Sequence, residues 1–423
     1  MQHLSLHELN KVDMNPIFMG DNSEETVKNL ENLKITSKKW KFNGNEYVIL
    51  RYDKSFLAHD KVTTTGLFRS VICKNGKVKV FSPPKSIQMD QFMNKHKPES
   101  CYAEEFIEGT MINLFYDEDV NEWELCTRSS VGGKIAFYKH DIRDDKKTFR
   151  QMFLECTNKC NLNFESLNKQ WCYSFVMQHP RNRIVTPILE PTLFLVKIYK
   201  ITNTETTKSV CEIEMNEEYK INMKSLSDIS FPVRFTFDSY EKLQEVWASH
   251  KTDYRTVGVV VYHKDSGHRM KMRNPNYENV RKLRGNQPKI QYHYLNLRKE
   301  GKIKEYLKYY PESKNAFNEF RDMLHMFTRI LFQYYVECYI KKTKPLKEYP
   351  GQYRTHMFKL HEKYLEELKE QKKYVNFGVV MEYVNALHSS QQMFAINYYL
   401  RKSKRDEVVR DRLFGTPEEQ ENA

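Results

Sequence analysis

The chain is short of several signatures that would settle its class at once. No apolar run is long enough to span a bilayer. The opening stretch, "MQHLSLHELNKVDM", has neither the basic n-region nor the apolar h-region of a secretory signal. The metal-binding pair HExxH does not occur, and neither does a Gly-rich phosphate loop of the Walker type. There is no internal repeat and no low-complexity tract. Cysteine is sparse, eight in 423 residues. Cys156 and Cys160 fall close together in "ECTNKCNL", but no second Cys or His pair follows at a finger-like distance, which argues against zinc. These absences point away from a membrane protein, a repeat array, a Walker-type NTPase and a zinc site. They leave the expectation of a reducing, intracellular compartment with free structural thiols.

What the chain does have is charge and rings. The net charge is +13 and the pI near 9.1, which favours a polyanionic partner over a neutral one. Aromatic residues make up 13% of the chain. Rings beside Lys and Arg are what single-stranded nucleic acid is held by. Hydrophobic content of 40% is enough for real cores, and the length suits two domains.

The first 35 residues read as a polar, partly helical lead-in. Strand signals then dominate. "KWKFNGNEYVILRYD" and "RSVICKNGKVKVFSPP" are pairs of alternating runs joined at Asn43-Gly44 and Asn75-Gly76, a strong hairpin signal. "GTMINLFYDEDVNEWELCTRSS" predicts a third hairpin across Asp117 to Asn121. Phe149, Met152, Phe153 and Cys156 have helical spacing. "WCYSFVMQHPRNRIV", "PTLFLVKIYKI" and "TVGVVVYHKDSGHRMKMR" return to strand. From about residue 276 the alternation is lost. Phe317, Phe320, Leu324, Phe327, Leu331, Tyr334 and Cys338 form the apolar stripe of an amphipathic helix, and two further stretches repeat that texture. The expected class is α+β, a mainly antiparallel sheet followed by an all-helical region.

Residues 101–117, "CYAEEFIEGTMINLFYD", have the form of a strand–turn–strand built around Lys-x-Asp/Glu-Gly, but Phe106 stands at the lysine position. Upstream lies "GLFRSVICKNGKVKVFSPPKSI"; downstream lie "FVMQHPRNRIV" and "TVGVVVYHKDSGHRMKMRNPNY". Together, in this order and followed by helices, these stretches resemble the covalent nucleotidyltransferases, closest to the phage tRNA-repair type of RNA ligase. The resemblance implies an antiparallel-sheet nucleotidyltransferase domain of the ATP-grasp-like ligase kind, over residues 36–275, and an all-helical C-terminal domain over 276–410. Residues 1–35 and 411–423 remain as a lead-in and a polar tail.

In that family a lysine amine attacks the nucleotide α-phosphate, acidic residues hold ribose and metal, and later lysines neutralise the phosphate. Carried over residue by residue, the catalytic half is lost. Phe106 replaces the nucleophile, and Val176 and Val257 replace two motif glutamates. The anion-binding half remains in Arg69, Glu108, Arg128, Lys271 and Arg273, and Arg281, Lys282 and Arg284 extend the positive charge towards RNA. Three apolar replacements predict a filled pocket. Lys85, after Pro83-Pro84, is the substitute nucleophile to consider, against the plainer reading of a surface lysine. Three functions follow. The first is a catalytically degenerate ligase-like protein that binds structured RNA or a ribonucleoprotein without cofactor or metal. The second is an active ligase or nucleotidyltransferase with a rearranged site at Lys85 and Lys271, using ATP and Mg. The third is a scaffold or virion assembly protein that reuses the fold. An Asn-, Lys- and Tyr-rich composition suits the AT-rich genome of a large DNA virus, which sets the expected location as host cytoplasm or virion.

Overall fold

The computed structural model describes residues 6–7, 11–15, 23–58, 61–136 and 147–403. The expected polar tail and most of the basic stretch "RKSKRDEVVRDR" lie outside these residues. The chain divides into two compact units, with the main division after Arg284.

The first unit is built on three antiparallel sheets. In the largest, the strand order is Leu6–His7, Lys11–Asp13, Lys208–Ile213, Thr192–Asn203, Trp171–Gln178, Thr110–Asp117, Glu122–Thr127 and Ser130–Val131. The polar lead-in thus also supplies edge strands: Val12 pairs with Val210. A second sheet orders Arg234–Phe235, Cys101–Glu105, Gly258–His263 and Arg269–Arg273. A third joins Ile35–Phe42, Asn45–Tyr52, Val71–Lys74 and Lys77–Phe81. Asn43-Gly44 and Asn75-Gly76 close two hairpins of this sheet as the sequence predicts, each with both turn residues at positive φ.

Helix Phe149–Lys159 packs Phe149, Met152, Phe153 and Cys156 into a core with Phe175, Leu193 and Leu195. Its first turn is closed by a Thr148–Gln151 capping box. Cys156 and Cys160 are both buried there as free thiols. Burial pushes the Cys156 thiol up to about 12, so both the packing and the chemistry fit a structural role.

The second unit is helical. Helix Lys314–Tyr335 buries Phe317, Phe320, Leu324, Phe327 and Leu331 as expected. At its end the stripe slips: Tyr335 is buried, while Tyr334 and Cys338 are only partly so. Leu331 and Tyr335 are four residues apart, an ordinary helical step, and a wider turn follows over Val336–Ile340, where the Lys341 N–H donates to the Val336 carbonyl five residues back. The architecture is therefore α+β with antiparallel sheets, followed by a helical unit. Among the described residues no helix is long and apolar enough to cross a membrane.

Candidate functional site

The strand alternation of "RMKMR" decides where the site forms. Met270 and Met272 point into a core with Ala103, Val259 and Val261. Arg269, Lys271 and Arg273 therefore project from the other face. Register places Lys271 beside Val260 and Val260 beside Glu104, and Arg269 beside Tyr262 and Tyr262 beside Tyr102. This face meets Met111, Val176, Val196 and Lys197 of the largest sheet around a cavity of about 230 Å³.

Two glycines let the backbones close in. At Gly258, φ is +124° and an added Cβ would lie 2.0 Å from the Met272 carbonyl oxygen. At Gly109, φ is +148° and a Cβ would lie 2.5 Å from the Met177 oxygen. Neither position tolerates a side chain without backbone movement. Between them the Phe106 N–H donates to the Gly258 carbonyl at 3.1 Å, which fixes the segment that carries the ring.

Phe106, Val176 and Val257 all line this one cavity, together with Arg69, Arg269, Lys271, Arg273 and Arg281. The three apolar side chains narrow the pocket but do not fill it, contrary to the expectation from sequence. Val176 and Val257 are buried, whereas Phe106 stays partly exposed at the wall. The Lys271 ammonium nitrogen lies 4.3 Å from the centre of the Phe106 ring and the Arg273 guanidinium 5.5 Å from it. The ring face thus attracts two cations.

The cations at this end are poorly neutralised. Arg273 pairs with Glu278, which also meets Arg281. Arg69, Arg269 and Lys271 have no carboxylate partner among the described residues. Arg269 is 8% exposed; one terminal nitrogen donates to the Pro84 carbonyl, while its buried Nε has no hydrogen-bond partner. Burial, reinforced by Arg269, Arg69, Arg273 and Lys85, pulls the Lys271 amine down to about 6. Burial and Arg269 also draw Arg69 down to about 10, still charged at neutral pH.

The row beside Arg269 is self-paired. Lys197, buried, donates to Glu212 at 2.6 Å and sits 4.1 Å over the Tyr262 ring. Tyr262 stacks on Tyr102 with centroids 5.2 Å apart, and Arg234 lies 4.1 Å over Tyr102 while pairing with Glu104 at 2.9 Å. Glu108, buried, accepts the Val185 and Thr186 N–H groups at 3.1 Å and bonds the Tyr277 hydroxyl. Burial raises its pKa despite those donors. Its carboxylate anchors the loop at Val185 and Thr186 rather than facing the cavity unpartnered.

The remaining expected residues fall outside the cavity wall. Lys85 borders a small void beside Arg269, with its backbone N–H donating to Gly66 at 2.9 Å. Burial and then Arg69, Arg273 and Arg269 lower its pKa, so it belongs to the same electrostatic cluster. Arg128 donates to the Arg69 carbonyl at 3.4 Å and lies over Tyr52. Lys282 is exposed, whereas Arg284 is buried and so presents no free guanidinium to a partner. The sequence reading missed Arg269 and Lys197. Arg269 was within reach, because two-residue periodicity places it on the face of Lys271. Lys197 sits inside an apolar run whose ion pair with Glu212 only the strand register brings about.

No family model matches the chain. It is 28% identical over 156 residues to an RNA ligase of Rhodothermus phage RM378, a match that covers 34% of each chain. The match thus spans about a third of that relative's length. Two forms of an archaeal ATP-dependent RNA ligase are similar in structure. One shares 12% identity, covering 74% of this chain and 81% of that one at a TM-score of 0.41. The other shares 10% identity, covering 89% and 94% at 0.37. The structural likeness is loose; the sequence match carries the similarity to RNA ligases.

Proposed function

We propose that this chain is a ligase-like protein that binds RNA through its cation-lined cavity without forming a nucleotidyl-lysine. One observation carries the reading: a phenyl ring, not an amine, stands at the Lys-x-Glu-Gly position, and the amine nearest to it is packed against the ring face. No phosphoramidate can form on Phe106. The two motif positions replaced by Val176 and Val257 offer no carboxylate to a metal or a ribose, so the donor set does not fit a Mg–ATP complex held in the family's manner. The cations remain, and unneutralised cations in a partly dehydrated cavity favour phosphate. The curated relative is an RNA ligase, which supports RNA as the polyanion.

A second reading keeps the chemistry. The Lys271 amine, with its pKa near 6, is largely neutral at pH 7 and nucleophilic. Incubation with α-labelled ATP or GTP and Mg, followed by a denaturing gel, separates the two. The expected result is no labelled band. A band abolished by Lys271→Ala or Lys85→Ala establishes the rearranged enzyme instead. A parallel binding isotherm with structured RNA at several salt concentrations tests the partner: affinity falls steeply with salt if phosphate contacts dominate.

A further inference from the structure

We propose that the first unit carries a second anion site, apart from the cavity between the two sheets, which takes a small molecule bearing two or more linked phosphates. The site lies at the opposite end of the largest sheet, and Lys77, Lys79, Lys169, Lys200, Tyr116 and Trp171 form its wall. It goes beyond the reading of RNA as partner and does not rest on it.

Strand register opens the site. Trp171 and Cys172 stay paired with Lys200 and Tyr199 on one side. On the other side, the pairing of Trp171–Gln178 with Thr110–Asp117 ends at Tyr173 and Leu114. Phe115 and Tyr116 continue in register with Glu124 and Trp123 of the outer strand. The two strands thus part at their ends, and Val78 and Lys79 of the third sheet line the opening. Its volume is about 310 Å³, at the lower end of the roughly 300–1,000 Å³ range of small-molecule sites. Val176 borders the central cavity and Trp171 borders this one; five residues of strand hold them roughly 16 Å apart.

Charge and burial together point to an anion. Four lysines line the opening against one carboxylate, that of the exposed Glu118. Lys77, Lys169 and Lys200 are exposed, and by themselves they would be an ordinary solvated surface. Lys79 is different. Its side chain is only 6% exposed, a rare state for lysine without a close partner. The Asp117 and Glu118 carboxylates each stand 3.8 Å from its amine, beyond hydrogen-bond distance. Asp117 already accepts from Lys74 at 2.8 Å and from Tyr47 at 2.7 Å. A buried ammonium whose N–H groups lack close acceptors is costly, and an anion in the opening supplies them.

The kind of cation narrows the ligand. No arginine lines this opening. Lysine is a compact point charge that meets phosphate without a fixed orientation, whereas the guanidinium fork matches planar carboxylates. Linked phosphates place several negative charges within a small volume, which four amines around one opening complement. A polynucleotide spreads its charge at one per nucleotide, and little of it enters 310 Å³. The rings hold the shape. The Lys169 amine lies 4.5 Å over the Tyr116 ring and donates to its hydroxyl at 3.4 Å, which keeps that cation at the rim. Trp171, partly exposed and directly opposite Lys200, offers an apolar wall to the scaffold that bears the phosphates.

The test needs a readout local to this opening, because a polyanion can also enter the central cavity. The full chain is labelled with fluorotryptophan, and the Trp171 resonance among its four tryptophans is identified by Trp171→Phe. Metal-free tripolyphosphate is the probe, with orthophosphate and citrate at matched ionic strength beside it. The expected result is a saturable shift of the Trp171 resonance by tripolyphosphate, at concentrations roughly 10- to 100-fold below those at which the other two act, the range for hydrogen bonds to charged groups. Lys79→Met, which keeps the apolar stem, and the exposed double variant Lys77→Gln, Lys200→Gln should each weaken that response about tenfold or more. The double variant decides the matter if Lys79→Met does not fold. A Trp171 resonance that stays still overturns the proposal. An equal response to citrate or orthophosphate overturns it too, since that is charge screening and not a site. So does an affinity that the double variant leaves unchanged. Displacement of tripolyphosphate from Trp171 by a hairpin RNA at lower concentration overturns it by assigning these lysines to RNA.

Discussion

Placing a lysine at position 106 is the sharpest perturbation of this site. Phe106→Lys removes a ring that faces two cations, 4.3 Å from the Lys271 nitrogen and 5.5 Å from the Arg273 guanidinium. Each such contact contributes about 0.5–1 kcal/mol at a partly exposed site. The new ammonium then meets the Arg273 guanidinium at short range, with the largely neutral Lys271 amine beside it. Two like charges about 6 Å apart repel by about 3 kcal/mol at an effective dielectric near 20. The amine has an escape, because it can lose its proton. Doing so at pH 7 from an ordinary lysine pKa near 10.4 costs about 4.6 kcal/mol, which caps the electrostatic penalty. The expected destabilisation is therefore roughly 3–6 kcal/mol at pH 7.

The sign of its pH dependence follows. The introduced lysine has a folded pKa below its unfolded one. Its penalty is full below the folded value and disappears as pH rises to the unfolded value near 10.4. Phe106→Leu is the control, since it lacks the charge and should cost only about 1–2 kcal/mol at any pH. Urea denaturation of wild type and both variants at pH 7 and pH 9.5 measures all of this. A Lys variant as stable as wild type at pH 7 would refute the packing of cations on the ring. A Lys variant that becomes nucleotidylated would show that only the nucleophile had been missing.

Other consequences follow from the same structure. Lys271 has its pKa lowered to about 6, so between that value and about 10.5 the unfolded state binds the extra proton and stability rises with pH; this slope should lessen in Lys271→Met, as followed by denaturation across that window. Asp117 is fully buried and accepts from Tyr47 at 2.7 Å and Lys74 at 2.8 Å, so Asp117→Ala leaves Lys74 and Lys79 buried with weaker partners and should cost about 3–5 kcal/mol in a chemical denaturation curve. Burial raises the Asp117 pKa, but the Lys74 and Tyr47 hydrogen bonds outweigh it and hold the carboxyl low; its contribution is present above pH ~4 and lost as pH falls through the lowered value. Gly258→Ala, with its Cβ 2.0 Å from a carbonyl oxygen, should lose several kcal/mol or fail to fold, read as the soluble yield and melting curve. In RNA titrations the double variant Lys271→Ala, Arg273→Ala should lower the salt slope by about one unit for each phosphate that it no longer neutralises.

Much of the first unit could be read from local patterns. The Asn-Gly hairpins, the helix with Phe149 and Met152, and the strand ending in Arg273 depend on turn chemistry and periodicity alone. The convergence of Phe106, Val176 and Val257 was legible through the resemblance, because the order of the motifs carried spatial information that no window of sequence holds. What was not legible is the state of the cavity. Three apolar residues read as filler, since sequence cannot tell a side chain that points to the middle of a pocket from one drawn to its wall. Phe106 lies at the wall, with Lys271 and Arg273 over its face. Arg284 read as a surface cation because its helix is basic, yet it is buried. Tyr335 is buried in place of Tyr334 because steps of three and of four from Leu331 are both helical, and the periodicity alone does not choose between them.

The cavity also bears on how its cations are tolerated. A buried cation without a counter-charge opposes folding, and pairing such as that of Lys197 with Glu212 offsets the cost. Val176 and Val257 make part of the wall apolar, and Arg69, Arg269 and Lys271 lack carboxylate partners among the described residues. Replacing acids by apolar residues increases the local positive potential and the desolvation of the amine together. Both changes raise the affinity for a phosphate that arrives without a metal. A dianionic phosphate near Lys271 would restore its proton, so binding above pH 6 should be accompanied by proton uptake. The groups around that amine are Arg69, Lys85, Arg269 and Arg273 on the charged side and Phe106 on the other. Calorimetry of phosphate binding in buffers of different ionisation enthalpy reads the uptake directly. A heat independent of buffer, once the phosphate's own protonation has been allowed for, would mean that Lys271 does not change its charge when the anion arrives, and that the cavity is not where the phosphate goes.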